Sequence, residues 1–176
     1  GMVHENDAAA RIAAAVCGPH LRLSEPKEGR INFSADCRGV LEVDVPTLAA
    51  INGIGEITLA TLHSMRLVEA GQDVAGTRVV PLMIEESRLR RLEELVSSPV
   101  LRVHPLAAAA VGIVTTGSEI YSGRIKDAFG PVLRQKFADL GCTVLGQTLT
   151  SDDEAMTSAA ITDFVAQGAD MIVVTG

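Results

Sequence analysis

The feature that most restricts the fold is the alternation of apolar runs and amphipathic segments in residues 111–175. Apolar runs typical of buried strands occur three times, as VGIVTT, CTVLGQTL and MIVVTG. Between them lie two segments with helical periodicity, GPVLRQKFADL and EAMTSAAITDFVAQ. Because strands that alternate with helices join in parallel through right-handed crossovers, this order predicts an α/β domain with a Rossmann-like parallel sheet and flanking helices.

The preceding residues show a different pattern, which predicts a small β-rich α+β module. Residues 21–84 alternate short apolar and polar runs, punctuated by glycine and proline turns, after an Ala-rich N-terminal helix. An amphipathic helix is predicted at residues 85–96, and Pro99 follows its end. We therefore predict two domains, residues 1–98 and residues 99–176. The second domain is expected to be incomplete at its C-terminus, since a further strand–helix loop should begin at its last residue.

Charge and composition exclude several classes of function. The net charge is −7, so nucleic acid is not an expected partner. The longest apolar run, residues 106–114, is too short to cross a bilayer, and a soluble cytoplasmic protein is expected. Three cysteines without a CxxC pair and four scattered histidines predict neither a disulfide framework nor a metal site.

The predicted topology indicates where a ligand would bind. In an open parallel sheet, ligands bind beyond the carboxyl ends of the strands. Three polar segments follow the predicted strands, and they are Thr115–Thr116–Gly117–Ser118, Ser151–Asp152 and Thr175–Gly176. Gly117 allows a sharp turn, and the hydroxyls of Thr116 and Ser118 can donate to phosphate oxygens. The GxGxxG and P-loop patterns are both absent here, so neither a dinucleotide fingerprint nor a nucleotide P-loop is predicted.

Two acidic residues have alternative interpretations. Asp127 precedes a helix whose first turn contains Pro131, so an N-cap is the simpler interpretation of this carboxylate. Either Asp152 or Asp153 can cap the next helix, and for Asp152 a cap and a functional carboxylate are equally supported.

Several motifs in residues 103–176 occur together in one known family. They are T-G-S-E after the first strand, Gly123 to Asp127, Gly130–Pro131, Asp152–Asp153, and D-x-I-x-x-T-G from Asp170 to Gly176. This combination resembles the first half of the molybdopterin-binding domain of molybdenum-cofactor biosynthesis proteins, which include molybdopterin adenylyltransferases, molybdotransferases and the gephyrin group. The segment AGQDVAGTRVVPLMI is similar to the region that precedes this domain in bacterial molybdopterin-binding proteins.

The resemblance implies a role for each matched residue. Residues that would line a pterin–phosphate pocket are Thr116, Gly117, Ser118, Thr175 and Gly176, and Asp127 would shape or contact it. Asp152 matches an acidic residue that is tied to nucleotide transfer and to a Mg²⁺-dependent step, which makes it the predicted catalytic residue. A carboxylate suits that role, because a cation that bridges phosphates prefers hard oxygen ligands.

The resemblance further implies a molybdopterin-binding protein of molybdenum-cofactor biosynthesis, molybdotransferase-like or adenylyltransferase-like. The loop T-G-S-E differs from the S-D-x-like loop of adenylyltransferases, which places the chain nearer the molybdotransferase-like or uncharacterised branch. A non-catalytic sensor or carrier of molybdopterin, and an unrelated enzyme acting on a phosphorylated ligand, are the alternatives. A pterin partner and a homo-oligomer are expected. A glycine loop and an acidic residue expected beyond Gly176 are not in this sequence, so the fragment alone is expected to be inactive.

Overall fold

The computed structural model describes all residues, 1–176, and divides the chain into two compact units. The first unit is Gly1–Pro105 and the second is Leu106–Gly176. Each unit has its own cluster of buried apolar side chains. No helix in either unit combines the length and the apolar character that crossing a membrane requires.

The first unit is the β-rich α+β module that the sequence predicts. Its strands are β1 (Met2–His4), β2 (Leu21–Leu23), β3 (Arg30–Ala35), β4 (Gly39–Val43), β5 (Ile57–Thr61), β6 (Arg66–Val68), β7 (Asp73–Val79), β8 (Met83–Glu85) and β9 (Leu101–Pro105). Its helices are α1 (Glu5–Val16), α2 (Val45–Asn52) and α3 (Glu86–Leu95). The strands pair antiparallel in the orders β2-β3-β7-β5, β6-β4-β9 and β1-β8. This unit therefore contains all the antiparallel pairing of the chain.

Small side chains allow α1 to pack closely on the β7 sheet. The buried residues of this helix are Ala8, Ala9, Ile12, Ala13 and Val16. Alanine adds little bulk between a helix and a sheet, so the backbones can approach each other and the larger Ile12 fills the remaining space. The module thus builds its core with few aromatic residues, of which Phe33 is fully buried.

The division between the units falls later than the predicted boundary at residues 98 and 99. It lies between Pro105 and Leu106. The physical reason is that β9 pairs with β4, from Val43 opposite Leu101 to Gly39 opposite Pro105. Residues 101–105 therefore complete a sheet of the first unit.

The second unit is the predicted parallel α/β arrangement. Its elements are β10 (Ala110–Thr116), α4 (Ser118–Tyr121), α5 (Phe129–Asp139), β11 (Thr143–Thr150), α6 (Glu154–Ala166) and β12 (Met171–Thr175). The strand order is β11-β10-β12, and β10 pairs in parallel with both neighbours. The predicted fold class is confirmed, with the first strand of the unit at the centre of the sheet.

A glycine pair in the sheet makes room for α6. Gly112 and Gly146 lie opposite each other in β10 and β11, and the ring of Phe164 from α6 lies over both. Phe164 is buried together with Val114 and Ala160. A methyl group on Gly112 would overlap the Phe164 ring, whereas one on Gly146 would lie 3.5 Å from it, at ordinary contact distance. The close approach of α6 therefore depends on Gly112.

We expect Gly112→Ala to destabilise the second unit by about 1–3 kcal/mol, because the added methyl forces the ring of Phe164 out of its packing position. Hydrogen exchange of the β10 and β12 amides measures this, since it reports local opening free energy. Gly146→Ala is the matched control and should preserve protection. Equal protection in the two variants would contradict the packing argument.

Candidate functional site

The carboxyl ends of the three parallel strands meet at one edge of the sheet. Thr116 lies opposite Thr150, and Thr115 lies opposite Thr175. The loops that follow these strands therefore begin side by side. A Cβ atom on Gly176 would touch the hydroxyl of Thr116, so the end of β12 and the end of β10 are in close contact. We call this edge, with Thr116, Gly117, Ser118, Asp152, Thr175 and Gly176, the rim.

Gly117 turns the chain from β10 into the rim. Its φ of +141° lies in a region that strongly favours glycine. The N–H of Gly117 donates to the carbonyl of Thr150 at 3.0 Å, which ties the loop to the end of β11. A substitution at Gly117 would strain the backbone just where Ser118 is presented.

Asp152 contacts the first loop directly. Its Oδ2 accepts hydrogen bonds from the backbone N–H of Ser118 at 3.1 Å and from the Ser118 hydroxyl at 2.9 Å. Both residues are exposed, so a ligand can reach them. This contact joins two rim loops that lie 34 residues apart in the chain.

The neighbouring carboxylate has a different role. Asp153 is the N-cap of α6, and its Oδ1 accepts from the N–H of Met156 at 2.7 Å. The cap interpretation of the acidic pair therefore applies to Asp153. Asp152 is left to face the Ser118 loop.

Asp127 lies at the start of α5 and supports its first turn. The carboxylate accepts from the N–H groups of Phe129 and Gly130, each at 3.0 Å. These bonds are those of a capping residue, which is the simpler of the two sequence interpretations. No hydrogen bond joins Asp127 directly to Ser118 or Asp152.

Gln147 links Asp127 to the sheet. Its amide nitrogen donates to Asp127 at 2.6 Å and to the hydroxyl of Thr115 at 3.0 Å. A Cβ atom on Gly130 would overlap both the Asp127 carboxylate and the Gln147 amide, so the network requires glycine there. The sequence analysis did not identify Gln147, because an isolated polar residue in a strand carries no motif. Its only signal is that it lies in a predicted strand, four residues before the predicted rim segment that begins at Ser151.

These contacts lower the pKa of Asp127. The largest cause is the hydrogen bond from the Gly130 N–H, and partial desolvation opposes it. Hydrogen bonds from Gln147 and Phe129 and the positive charge of Arg134 lower the pKa further. The folded state therefore favours the ionised form of this side chain.

The parallel sheet and flanking helices of the second unit are those of the Rossmann-like class, in which ligands bind at the carboxyl edge of the sheet. Residues 112–176 match the family described as a probable molybdopterin binding domain. The family that the motifs predict is therefore the one that this segment of the second unit matches.

Curated relatives match over a similar segment. CinA-like proteins of Mycobacterium sp. (strain MCS) and of Mycobacterium tuberculosis (strain ATCC 25177 / H37Ra) are each 35% identical over 69 residues. The CinA-like protein of Mycolicibacterium vanbaalenii is 36% identical over the same length. Each alignment covers 39% of this chain and 16% of the relative, so the match spans about a sixth of those proteins.

A solved structure is similar over the whole chain. It is the molybdopterin biosynthesis moeA protein from Pyrococcus horikoshii OT3, with 10% identity and a TM-score of 0.33. The alignment covers 100% of this chain and 67% of that protein.

The contacts of Asp127 predict a pH-dependent effect of Asp127→Asn. Because the folded-state pKa is depressed, ionised Asp127 contributes stability fully above the unfolded-state pKa of about 3.9. That contribution is lost as the pH falls through the lower folded-state value. Wild type should therefore be more stable than Asp127→Asn near neutral pH, and the difference should shrink below about pH 4. Urea denaturation at several pH values measures it, and a difference that stays constant with pH would contradict the assignment.

Proposed function

We propose that the second unit binds molybdopterin, or a phosphorylated derivative of it, at the rim. We further propose that the whole protein acts in molybdenum-cofactor biosynthesis as a molybdotransferase-like or adenylyltransferase-like enzyme. The observation that carries the proposal is the contact between Ser118 and Asp152, which puts phosphate-binding donors beside a carboxylate at the edge where this fold binds ligands. The family match of residues 112–176 supports the identity of the ligand.

Hydroxyl and backbone groups would bind the phosphate. Thr116, Ser118 and Thr175 offer hydroxyls at adjacent strand ends, and Ser118 also offers its backbone N–H. Gly176 has no side chain, and the Thr116 hydroxyl lies where its Cβ atom would be, so the ends of these two strands approach each other closely. Such groups bind an anion without needing lysine or arginine.

Asp152 imposes an electrostatic constraint on that ligand. Its charge repels a phosphate, and its Oδ2 occupies both donors of Ser118. A phosphate must therefore displace this carboxylate oxygen or share the site with a cation. A single carboxylate together with substrate phosphates is an ordinary ligand set for Mg²⁺, so Asp152 fits as the residue that would hold the ion. When bound, Mg²⁺ would neutralise phosphate charge during transfer.

Asp127 would act as a positioning residue. Its carboxylate already accepts hydrogen bonds from Phe129, Gly130 and Gln147, which leaves little capacity for a ligand. Through Gln147 it fixes the start of α5 relative to β10 and β11. We infer that Asp127 shapes the pocket rather than reacting with its contents.

A non-catalytic sensor or carrier is the second candidate function. The favouring observation is that two hydrogen bonds from Ser118 already satisfy Oδ2 of Asp152, as suits a site that only binds. The resemblance also supports a cytoplasmic homo-oligomer, and size-exclusion chromatography coupled to light scattering tests that assembly.

The Ser118 hydroxyl is expected to contribute to affinity for the pterin phosphate. Ser118→Ala should weaken binding of molybdopterin about tenfold or more, because a hydrogen bond to a charged group is lost. Fluorescence titration with purified molybdopterin measures this, with AMP as the comparison ligand. Ser122→Ala is the matched control, since its hydroxyl donates to the Glu119 carbonyl. If both variants bind as wild type does, the rim is not the phosphate site.

Variants of the acidic pair Asp152–Asp153 distinguish a role in catalysis from a role in binding. Asp152→Asn should lower molybdopterin turnover in the full-length protein at least about a hundredfold while binding persists, since a charge-stabilising group is removed. Asp153→Asn removes the same charge one residue away but keeps a good N-cap, so it should retain turnover. Turnover by each variant is measured by liquid chromatography of the product formed from molybdopterin. Binding without turnover in wild type would favour the carrier, and equal losses in the two variants would refute the role of Asp152.

A further inference from the structure

Three potential metal ligands meet in the first unit. They are His20, which precedes β2, and Asp36 and Cys37, which follow β3. One donor atom from each lies within 4.8 Å of the other two. The residues are brought together by antiparallel pairing of β2 with β3, which places Leu21 opposite Ala35.

The backbone around these donors is fixed by hydrogen bonds. The N–H of Asp36 donates to the carbonyl of His20 at 3.0 Å, and the N–H of Val103 donates to the carbonyl of Pro19 at 3.1 Å. On the other side, the N–H of Gly71 donates to the carbonyl of Ala35 at 2.7 Å. His20 itself has a φ of +61°, a conformation that is uncommon for a residue with a side chain. The backbone positions of the donor residues are therefore set by the fold.

The spacing of His20 and Asp36 is that of two ligands of one ion. Their atoms Nδ1 and Oδ1 lie 3.4 Å apart, which is longer than an ordinary hydrogen bond. Two ligands at 2.0–2.1 Å from a tetrahedral Zn²⁺ are separated by about 3.3–3.4 Å. The Asp36 Oδ1 atom is inaccessible to solvent and has no hydrogen-bond partner. A buried carboxylate oxygen without a partner is costly, and a cation would satisfy it.

We propose that His20, Asp36 and Cys37 form a binding site for Zn²⁺, with the fourth tetrahedral position open. The donor set selects the ion: an imidazole nitrogen, a carboxylate oxygen and a sulfur suit zinc, whereas Mg²⁺ and Ca²⁺ prefer oxygen ligands throughout. Two anionic donors, the carboxylate and the thiolate, also match the charge of the ion. Three protein ligands with one open position are the arrangement of reactive zinc sites rather than of closed structural ones.

The thiol is protonated in the absence of metal. Desolvation raises the pKa of Cys37, and the neighbouring Asp36 carboxylate raises it further. Cys37 is therefore not an activated nucleophile, because the thiolate is the reactive form. A zinc ion would displace the thiol proton and take its place beside Asp36.

The test uses the full chain without a polyhistidine tag, stripped with a chelator and titrated with Zn²⁺ in a calorimeter. We expect one equivalent to bind to wild type. Cys37→Ser and His20→Ala should each lose affinity at least about tenfold, since even outer-shell changes at metal sites cost that much. Matched controls are Cys142→Ser, which removes a thiol from the second unit, and His63→Ala, which removes an imidazole from the first.

A spectroscopic measurement does not depend on the variants folding well. Co²⁺ bound to wild type should give a thiolate-to-cobalt charge-transfer absorption, which Cys37→Ser should abolish and Cys142→Ser should retain. The proposal is overturned if wild type binds no stoichiometric Zn²⁺, or if the absorption is absent from wild type or survives in Cys37→Ser. The molybdopterin titrations bear on the rim alone, so the two proposals can fail separately.

Discussion

Parallel backbone pairing of β10 with both of its neighbours is the constraint on which the second unit depends. Because β10 lies between β11 and β12, its register sets which residues meet at the carboxyl edge. Main-chain pairing thus brings the three strand ends to one edge, with Thr116 opposite Thr150 and Thr115 opposite Thr175. The Gly112–Phe164 contact then holds α6 against this sheet. The pairing of the three strands therefore determines where the rim lies, and the loops contribute side chains at a position that the backbone sets.

Much of this arrangement can be predicted from the sequence because it follows from periodicity. Three apolar runs separated by helical segments are enough to predict parallel strands, and topology then predicts where their loops converge. The family motifs add the expected ligand. The sequence does not distinguish the two members of the acidic pair, because Asp152 and Asp153 are both acceptable N-caps. The contact of Asp153 with Met156 identifies the cap.

The remaining features depend on contacts between distant parts of the chain. Gln147 lies in a strand, and its importance arises from reaching Asp127, 20 residues earlier. His20 and Asp36 form no recognisable spacing motif, and they meet because two short strands pair antiparallel. The late division of the units has the same origin, since β9 finds its partner β4 far back in the sequence. Local patterns carry none of this information.

The adjacent carboxylates Asp152 and Asp153 make different contacts, and this difference affects how the site can evolve. Asp153 secures the first turn of α6, so the helix does not rely on the residue beside it. A change at Asp152 therefore alters the contact with Ser118 at the rim and leaves the N-cap of α6 in place. The site proposed at the rim can thus vary at this position while the helix keeps its cap, which is a condition under which one scaffold diversifies into binders and enzymes.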